Sequence, residues 1–291
     1  MLFRSDGLLG RAFGELRPGE AQGWLPSLVY SPMLVEDGRR LLVSNLDLSA
    51  VSASLASLLV VESAAGPPPS SSLARLSLSS VQLFQLFPHR QDAFTVAAAA
   101  RMSASFPYMS PASALPTEPR VRVVDAGYYD NYGVDLAMMW LHAHRDWVRA
   151  CTAGVVLVQI RDHLGSGRRT RLHVDGEGSD VGGLTSPVEA VLRARESSMS
   201  FRNDALLHMV QDELNATTPC FFTTAIFEFG ETAPLSWALT ERDKRQLQHA
   251  ADSAMLKLQV DAVREWLTAG PEARRRAGDL GLCPGTRVLR P

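Results

Sequence analysis

The sequence predicts an α/β fold, in which a mostly parallel sheet is flanked by helices and followed by a mainly helical carboxyl-terminal extension. Two apolar, β-branched runs, residues 121–124 and 154–160, have the composition of strands that are buried on both faces. Residues 134–148 predict the helix that connects them. Because a strand, a helix and a second strand in succession form a parallel βαβ unit, these three segments together predict a parallel sheet.

Composition agrees with a folded domain. The chain has 291 residues, of which 46% are hydrophobic and 21% are charged. A chain of this length and composition can bury a sizeable core, as one large domain or as one domain with an extension.

The segments before residue 121 are predicted to add strands and a helix to the same domain. Turn residues at 36–38 separate two candidate strands, Leu25–Tyr30 and Arg40–Ser44. The alanine-rich stretch Asp92–Ser103 predicts a helix with Asp92 near its start. The mixed spacing of residues 80–86 leaves that segment undecided between helix and strand.

A change in composition after residue 162 divides the chain. Residues 163–185 are rich in Gly, Ser, Arg and Asp, which predicts a flexible loop or linker between a domain at 1–162 and a mainly helical extension at 186–291. Ser186 and Glu189 have the spacing of a helix cap and its capping-box partner. The extension is predicted to contain a helix from Ser186 to about Leu214, a strand at Cys220–Phe229 and a helix from Thr240 to about Leu267.

The charge and cysteine patterns exclude several classes of function. The net charge is -2, and the arginines are scattered apart from one run at 274–276, so no nucleic-acid partner is predicted. Cys151, Cys220 and Cys283 are odd in number and far apart. This pattern favours free thiols in a reducing, cytoplasmic compartment over a disulfide framework or a zinc site.

The sequence predicts neither a metal site nor an organic cofactor. The acid and histidine residues grouped near predicted strand ends are Asp125, Asp130, Asp135, Asp162 and His163. Their spacing fits neither a calcium-binding EF-hand loop nor a pair of histidines one turn apart on a helix.

An uncharged window, Leu48–Val61, bears on membrane association. It is shorter than the ~20 residues that a membrane-spanning helix needs. Leu48, Val51 and Leu55 recur at helical spacing with serines between them, which predicts an amphipathic helix packed on the protein. Peripheral contact with a membrane surface stays open as an alternative, although such helices usually carry Lys or Arg on the polar face.

The most informative stretch of the chain is a β-branched run that ends in Asp125 and is followed by Gly127. Loops at the carboxyl ends of parallel strands are where α/β folds place catalytic and binding groups. Gly127 and Gly133 allow close approaches that a side chain would prevent, so the loop can turn tightly around the carboxylate. An ordinary junction, in which Asp130 or Asn131 caps the next helix, stays open as an alternative.

Asp125 and its flanks resemble the aspartate-bearing block of the patatin-like phospholipases. These are serine acyl hydrolases in which an Asp-Gly-Gly or Asp-Gly-Ala turn carries the base of a Ser-Asp dyad. The alanine-rich helix and the Ala-Ser-Phe-Pro stretch within Thr95–Pro111 resemble the segment that precedes this aspartate in bacterial members. Gly23–Pro32 and Glu36–Asn45 resemble the segment between nucleophile and aspartate. The resemblance covers roughly residues 20–160, the second half of a patatin-like domain.

The resemblance implies a patatin-like, mostly parallel sheet and a hydrolase of lipid or lipid-like esters in which Asp125 is the dyad base. Gly127 and Asn131 are assigned to shaping the loop around the aspartate. Ala126 stands where the family usually has glycine. The expected partner is the lipid or ester substrate, and no cofactor is implied.

The family's nucleophile motif is absent from the sequence. Patatin-like enzymes present the serine in Gly-x-Ser-x-Gly, and neither Ser5 nor Ser179, the nearest candidates, has both glycines. A Gly-Gly-x-Arg type stretch, whose backbone amides form the oxyanion hole, is absent as well. Both belong upstream of residue 20, so the chain is expected to be the carboxyl-terminal portion of a longer enzyme and inactive alone. The alternative is a non-catalytic binding or regulatory module that has lost the nucleophile.

Overall fold

The computed structural model describes residues 7–53, 79–105, 111–161, 182–228 and 240–279. It divides the chain into two compact units, Met1–Ala143 and His144–Pro291. Helices and strands occur in both units, so the predicted α/β class is confirmed. The carboxyl-terminal region is mostly helical, as predicted.

Helices of the first unit are short. They are α1 (Phe13–Ala21), α2 (Leu83–Leu86), α3 (Val96–Ser103) and α4 (Val134–Ala143), with 3-10 turns at Leu8–Gly10, Ser49–Val51 and Ala126–Tyr128. The hydroxyl of Thr95 accepts a hydrogen bond from the backbone N–H of Ala98 at 3.2 Å and caps α3. The helix predicted from Asp92 therefore begins later than expected, because Thr95 provides the cap.

The strands of the first unit form one five-stranded sheet in the order β3-β2-β1-β5-β4. They are β1 (Met33–Leu34), β2 (Arg40–Leu42), β3 (Ser80–Gln82), β4 (Ser113–Ala114) and β5 (Arg122–Val124). β1 pairs antiparallel with both β2 and β5, and β4 pairs antiparallel with β5. Only β2 and β3 are parallel within the described part of this sheet.

The prediction of a mostly parallel sheet is wrong for this unit. β1 and β2, like β4 and β5, are joined by short connections, which return the chain antiparallel, whereas parallel pairing needs a long crossover. The predicted βαβ unit is wrong for a related reason. The strand after β5 in the chain, β6 (Val155–Arg161), belongs to a different sheet, so the helical segment between them does not link parallel neighbours.

Two of the early strand predictions have different outcomes. Residues 40–42 of the predicted Arg40–Ser44 strand form β2, whereas Leu25–Tyr30 makes only an isolated antiparallel bridge from Tyr30 to Val43. Pro26 lies inside Leu25–Tyr30, and a proline lacks the backbone N–H that a strand donates to its neighbour in a sheet. The undecided segment 80–86 contains β3 followed by α2.

The amphipathic helix predicted for Leu48–Val61 is interrupted. Its first turn is the 3-10 turn ending at Val51, after which Ser52 has an extended backbone. The backbone N–H of Ala53 then donates to the carbonyl of Ser80 at 2.8 Å. The rest of the predicted helix, from residue 54 onward, lies outside the described residues.

A buried ion pair lies inside the first unit. The side chains of Arg40 on β2 and Asp135 in the first turn of α4 are 2% and 5% exposed, and Nη1 of Arg40 lies 2.6 Å from Oδ1 of Asp135. Nε of Arg40 also donates to Oγ of Ser80 on β3 at 3.0 Å. Nη2 of Arg40 also lies 4.0 Å from Sδ of the buried Met139. Because two charges have been taken out of water, each depends on the other for compensation.

The second unit contains a two-stranded parallel sheet and helices. Its elements are α5 (Arg145–Cys151), β6, α6 (Gly182–Asn215), β7 (Phe222–Glu228), α7 (Glu241–Ala251), α8 (Ala254–Thr268) and α9 (Pro271–Asp279). The strands predicted at 154–160 and 220–229 are confirmed as β6 and β7. Helix α6 begins at Gly182, inside the segment predicted as a linker, and residues 163–181 of that segment lie outside the described residues.

Two predicted helices are each divided into two. Residues 134–148 span α4 and the first part of α5, with a non-helical residue at His144. Residues 240–267 span α7 and α8. Ser253 accepts a hydrogen bond from the backbone N–H of Leu256 at 3.3 Å, so a new cap starts α8 where one continuous helix was expected.

The composition of β6 predicts that it is buried on both faces, and this prediction is wrong. Val158 and Ile160 are 47% and 78% exposed, while Gln159 and Arg161 are buried. Nη2 of Arg161 lies 2.6 Å from Oδ1 of Asp204 on α6. The ion pair with α6 thus makes the inner face of this strand polar at its carboxyl end.

The cysteines differ from the prediction of free thiols. Cys220 is buried and disulfide-bonded, whereas Cys151 is an exposed free thiol. An odd number of cysteines still permits one bond beside a free thiol, so the prediction is wrong at Cys220, and the argument for a reducing compartment loses its support. Across the described ranges, no helix combines the length and apolar character needed to cross a membrane.

Replacing Arg40 by Met is expected to lower the free energy of unfolding by about 3–5 kcal/mol, because the buried Asp135 carboxylate then loses the guanidinium that it pairs with. The double variant Arg40→Met, Asp135→Leu should recover much of this loss, since neither charge remains. Urea unfolding at neutral pH measures both values. A double variant no more stable than the single one would contradict the coupling.

Glu36 makes the stability of the first unit depend on pH. The backbone N–H and Nε of Arg122 both donate to the Glu36 carboxylate at 2.9 Å, and these bonds hold the pKa of Glu36 below its ordinary value of 4.5. A lowered pKa means that the carboxylate stabilises the folded state fully above its ordinary value and loses this effect as pH falls through the lowered one. Between about pH 5 and about pH 3, the wild type should therefore lose more stability than Glu36→Gln. Thermal unfolding across this range would refute the assignment if the two curves ran parallel.

Candidate functional site

Asp125 lies where β5 ends, as the sequence predicts. β5 ends at Val124, and Asp125 is the amino-terminal cap of the 3-10 turn Ala126–Tyr128. Its Oδ1 accepts a hydrogen bond from the backbone N–H of Gly127 at 2.7 Å, and the residue is partly buried. The carboxylate is thus oriented by the residues that follow it, and we call residues 125–133 the aspartate loop.

The sheet around Asp125 is not the one that the sequence implied. Both neighbours of β5 in the sheet, β1 and β4, run antiparallel to it. The rule that ligands gather at the carboxyl ends of parallel strands therefore does not apply to this strand. The case for a site depends on the aspartate loop itself.

Gly127 lies against two side-chain oxygens of the aspartate loop. A Cβ added to Gly127 would lie 2.8 Å from Oδ1 of Asp125 and 3.0 Å from Oδ1 of Asn131. Only glycine lets both side chains come so close, since it has no Cβ. The structure thus brings together the three site residues named from the sequence, and the catalytic role of Asp125 stays a prediction.

Two further features shape the aspartate loop. Ala126 occupies the first position of the 3-10 turn, a helical conformation that alanine adopts without strain. Gly133 has a φ of 66°, in the left-handed region that favours glycine, and α4 begins at the next residue. Oδ1 of the buried Asp130 accepts a hydrogen bond from the backbone N–H of Tyr132 at 3.1 Å, a contact within the loop and before the helix.

Arg40 lies beneath the aspartate loop. Its guanidinium carbon is 4.7 Å from the ring centroid of Tyr129, within the range of a cation–π interaction. The same guanidinium is paired with Asp135, just after the loop ends. One buried cation therefore contacts both the loop and the helix that follows it.

Arg40 and Tyr129 are the residues of this site that sequence reasoning missed. The sequence did contain a signal for this ion pair. It has an arginine at the start of the apolar run Arg40–Ser44 and an aspartate in the apolar segment Val134–Ala143. Charges of opposite sign in two segments predicted to be buried indicate an ion pair.

The arrangement does not form a metal centre. Within the described ranges, no group of three or more His, Cys, Asp or Glu side chains could hold a metal ion. Asp135 is engaged with Arg40, while Asp162 and His163 lie outside these ranges. Chemically, the site offers a carboxylate that is oriented by a backbone amide and able to accept a proton.

Comparisons with known proteins give no match: the chain matches no family model, no curated protein and no solved structure.

Replacing Gly127 by Ala is expected to lower the free energy of unfolding by about 1–3 kcal/mol, because the added methyl group overlaps two side-chain oxygens. Adding Asn131→Ala should restore part of the loss by removing one of them. Gly270→Ala is the control, since nothing lies within 4 Å of the Cβ that it adds. Urea unfolding of the wild type and these three variants tests the packing, which is refuted if Gly127→Ala and Gly270→Ala have equal effects.

Proposed function

We propose that the protein is a patatin-like serine acyl-ester hydrolase that acts on lipid or lipid-like esters, with Asp125 as the base of a Ser-Asp dyad. The observation that carries this proposal is the Asp125 carboxylate at the end of β5, with Oδ1 held by the backbone N–H of Gly127. The motif resemblance around Asp125 supplies the reaction class. Gly127 and Asn131 shape the loop and take no part in bond making.

In the proposed reaction, the Asp125 carboxylate accepts the proton of a serine hydroxyl while the serine oxygen attacks the ester carbonyl. The carbonyl oxygen becomes an oxyanion, which backbone amides stabilise. The alcohol leaves with a proton, and water then releases the acyl group from the serine. Because the sequence contains no Gly-x-Ser-x-Gly, the proposal assigns the nucleophile to no residue of the 291.

The hydrogen bond from Gly127 suits a general base. A base must hold one orientation relative to the proton that it accepts, and misplacement by about 1 Å can cost about 100-fold in rate. The bond at 2.7 Å occupies Oδ1 and thereby limits rotation of the carboxylate.

A lipid substrate implies access to a membrane surface, so the proposal includes peripheral membrane contact. It includes no cytoplasmic location, because the disulfide at Cys220 is typical of oxidising compartments. Trp24 and Val29 of the first unit are 65% and 39% exposed and offer some apolar surface.

A second candidate is a non-catalytic binding or regulatory module with the same fold. Asp125 already has a structural contact, because its bond to Gly127 closes a turn whether or not chemistry follows. The absence of a nucleophile motif and of an oxyanion-hole stretch from the sequence favours the same candidate.

The substitution Asp125→Asn separates these two candidates. The amide oxygen of the new asparagine can still accept the hydrogen bond from Gly127, so the fold should change little. The carboxylate that accepts the serine proton is lost. For the hydrolase, we expect fluorophosphonate labelling and ester hydrolysis to slow by about 100- to 10,000-fold. The measurement uses native protein isolated from its source and the same protein carrying the substitution, with intact mass recorded after labelling.

Asp37→Asn is the matched control. Asp37 also accepts a hydrogen bond from the backbone N–H two residues further on, that of Arg39 at 3.0 Å, in the turn between β1 and β2. The Asp37→Asn variant should label with fluorophosphonate at the wild-type rate. Labelled wild-type protein with a mass above 31.7 kDa, together with unlabelled Asp125→Asn, supports the dyad. An unlabelled wild-type protein of 31.7 kDa favours the module, and equal labelling of wild type and Asp125→Asn rejects Asp125 as the base.

A further inference from the structure

We infer that Tyr129 and Arg40 are positioning residues for the Asp125 carboxylate. The inference rests on the proposed function for its catalytic consequence, and on the geometry of the aspartate loop for the positioning itself. It extends the site from the three residues named in the sequence to a buried cation beneath them.

Tyr129 is linked to Asp125 through a single tight turn. The backbone N–H groups of Tyr129 and Asp130 both donate to the carbonyl of Ala126, at 2.9 and 3.0 Å. The same turn carries Gly127, whose N–H holds Oδ1 of Asp125. A displacement of the Tyr129 backbone therefore moves the amide that orients the carboxylate.

The cation beneath Tyr129 is held firmly. Arg40 lies on β2, and its guanidinium contacts Asp135 and Ser80 at 2.6 and 3.0 Å. A planar guanidinium held in this way presents a flat face, which an aromatic ring can cover at 4.7 Å. The ring of Tyr129 is therefore fixed against the sheet, and the turn before it is fixed in consequence.

A positioning role differs from a general contribution to stability. If the stacking contact only stabilised the fold, its loss would lower stability without changing the folded aspartate loop. If it positions Asp125, its loss frees the Gly127 amide and alters the carboxylate environment in protein that is still folded.

The test compares Tyr129→Leu, which removes the ring, with Tyr129→Phe, which keeps the ring over Arg40. Phe84→Leu is the control, because it removes a partly buried aromatic ring that packs against the core of the same unit, 5.6 Å from the ring of Phe13. Substituting Tyr129 leaves Arg40 and Asp135 paired, so the folded state is retained more readily than in any Arg40 variant. The full chain is used throughout.

Two spectroscopic readouts need no enzymatic activity. One is the hydrogen exchange rate of the Gly127 amide, and the other is the carbon-13 resonance of the Asp125 carboxyl group, assigned by its loss in Asp125→Asn. For Tyr129→Leu we expect exchange to be about tenfold faster, with a shifted carboxyl resonance, from the loss of one cation–π contact. Tyr129→Phe should match the wild type in both.

Activity provides the second level of the test. In native protein, Tyr129→Leu should slow fluorophosphonate labelling about tenfold at saturation without changing the half-saturating concentration, and Tyr129→Phe should restore the rate. Unchanged Gly127 exchange in Tyr129→Leu, or an equal change in Phe84→Leu, overturns the inference. If Asp125→Asn labels normally, the dyad fails instead, and the two spectroscopic readouts still decide whether Tyr129 positions the carboxylate.

Discussion

The charge of Arg40 is the constraint on which the first unit depends. A guanidinium in an apolar interior is tolerated only where partners compensate its lost hydration, and here Asp135, Ser80 and the Tyr129 ring surround it. These partners come from α4, from β3 and from the aspartate loop. A single buried cation therefore sets the relation of a helix, a strand and a loop to β2, and apolar packing alone would specify that relation less sharply.

The aspartate loop shows how local backbone chemistry can produce a site without deciding its use. Gly127 is required by the closeness of Asp125 and Asn131, and Gly133 is required by its φ of 66°. These requirements hold for a general base and for a plain turn alike, because both need the carboxylate to face the Gly127 amide. The distinction between the two functions lies in proton transfer, which the Asn substitution removes while keeping the hydrogen-bond acceptor.

The sequence predicts local features of this protein better than distant ones. The end of β5 before Asp125 and the closeness of Gly127 follow from residues within one turn, so pattern and residue type suffice. Strand direction does not follow in this way: β1 and β4 are too short to show an alternation, and their pairing with β5 depends on segments far away in the chain. The Arg40–Asp135 pair joins residues 95 positions apart, and only charges inside apolar runs indicated it.

Buried arginines recur in the second unit, where they explain a failure of pattern reading. Val158 and Ile160 of β6 face outward because Arg161 faces inward to Asp204. The ion pair thus reverses the usual arrangement, in which apolar side chains of a strand face the interior and charged ones face the solvent. Arg274 is likewise buried, stacked on Trp266 at 4.2 Å while donating to the carbonyl of Ala153 at 3.0 Å. Lysine could keep the charge at such positions but neither the fork of donors nor the flat face. The shape of the guanidinium group therefore fixes these contacts together with its charge, and hydrophobic periodicity carries no information about either.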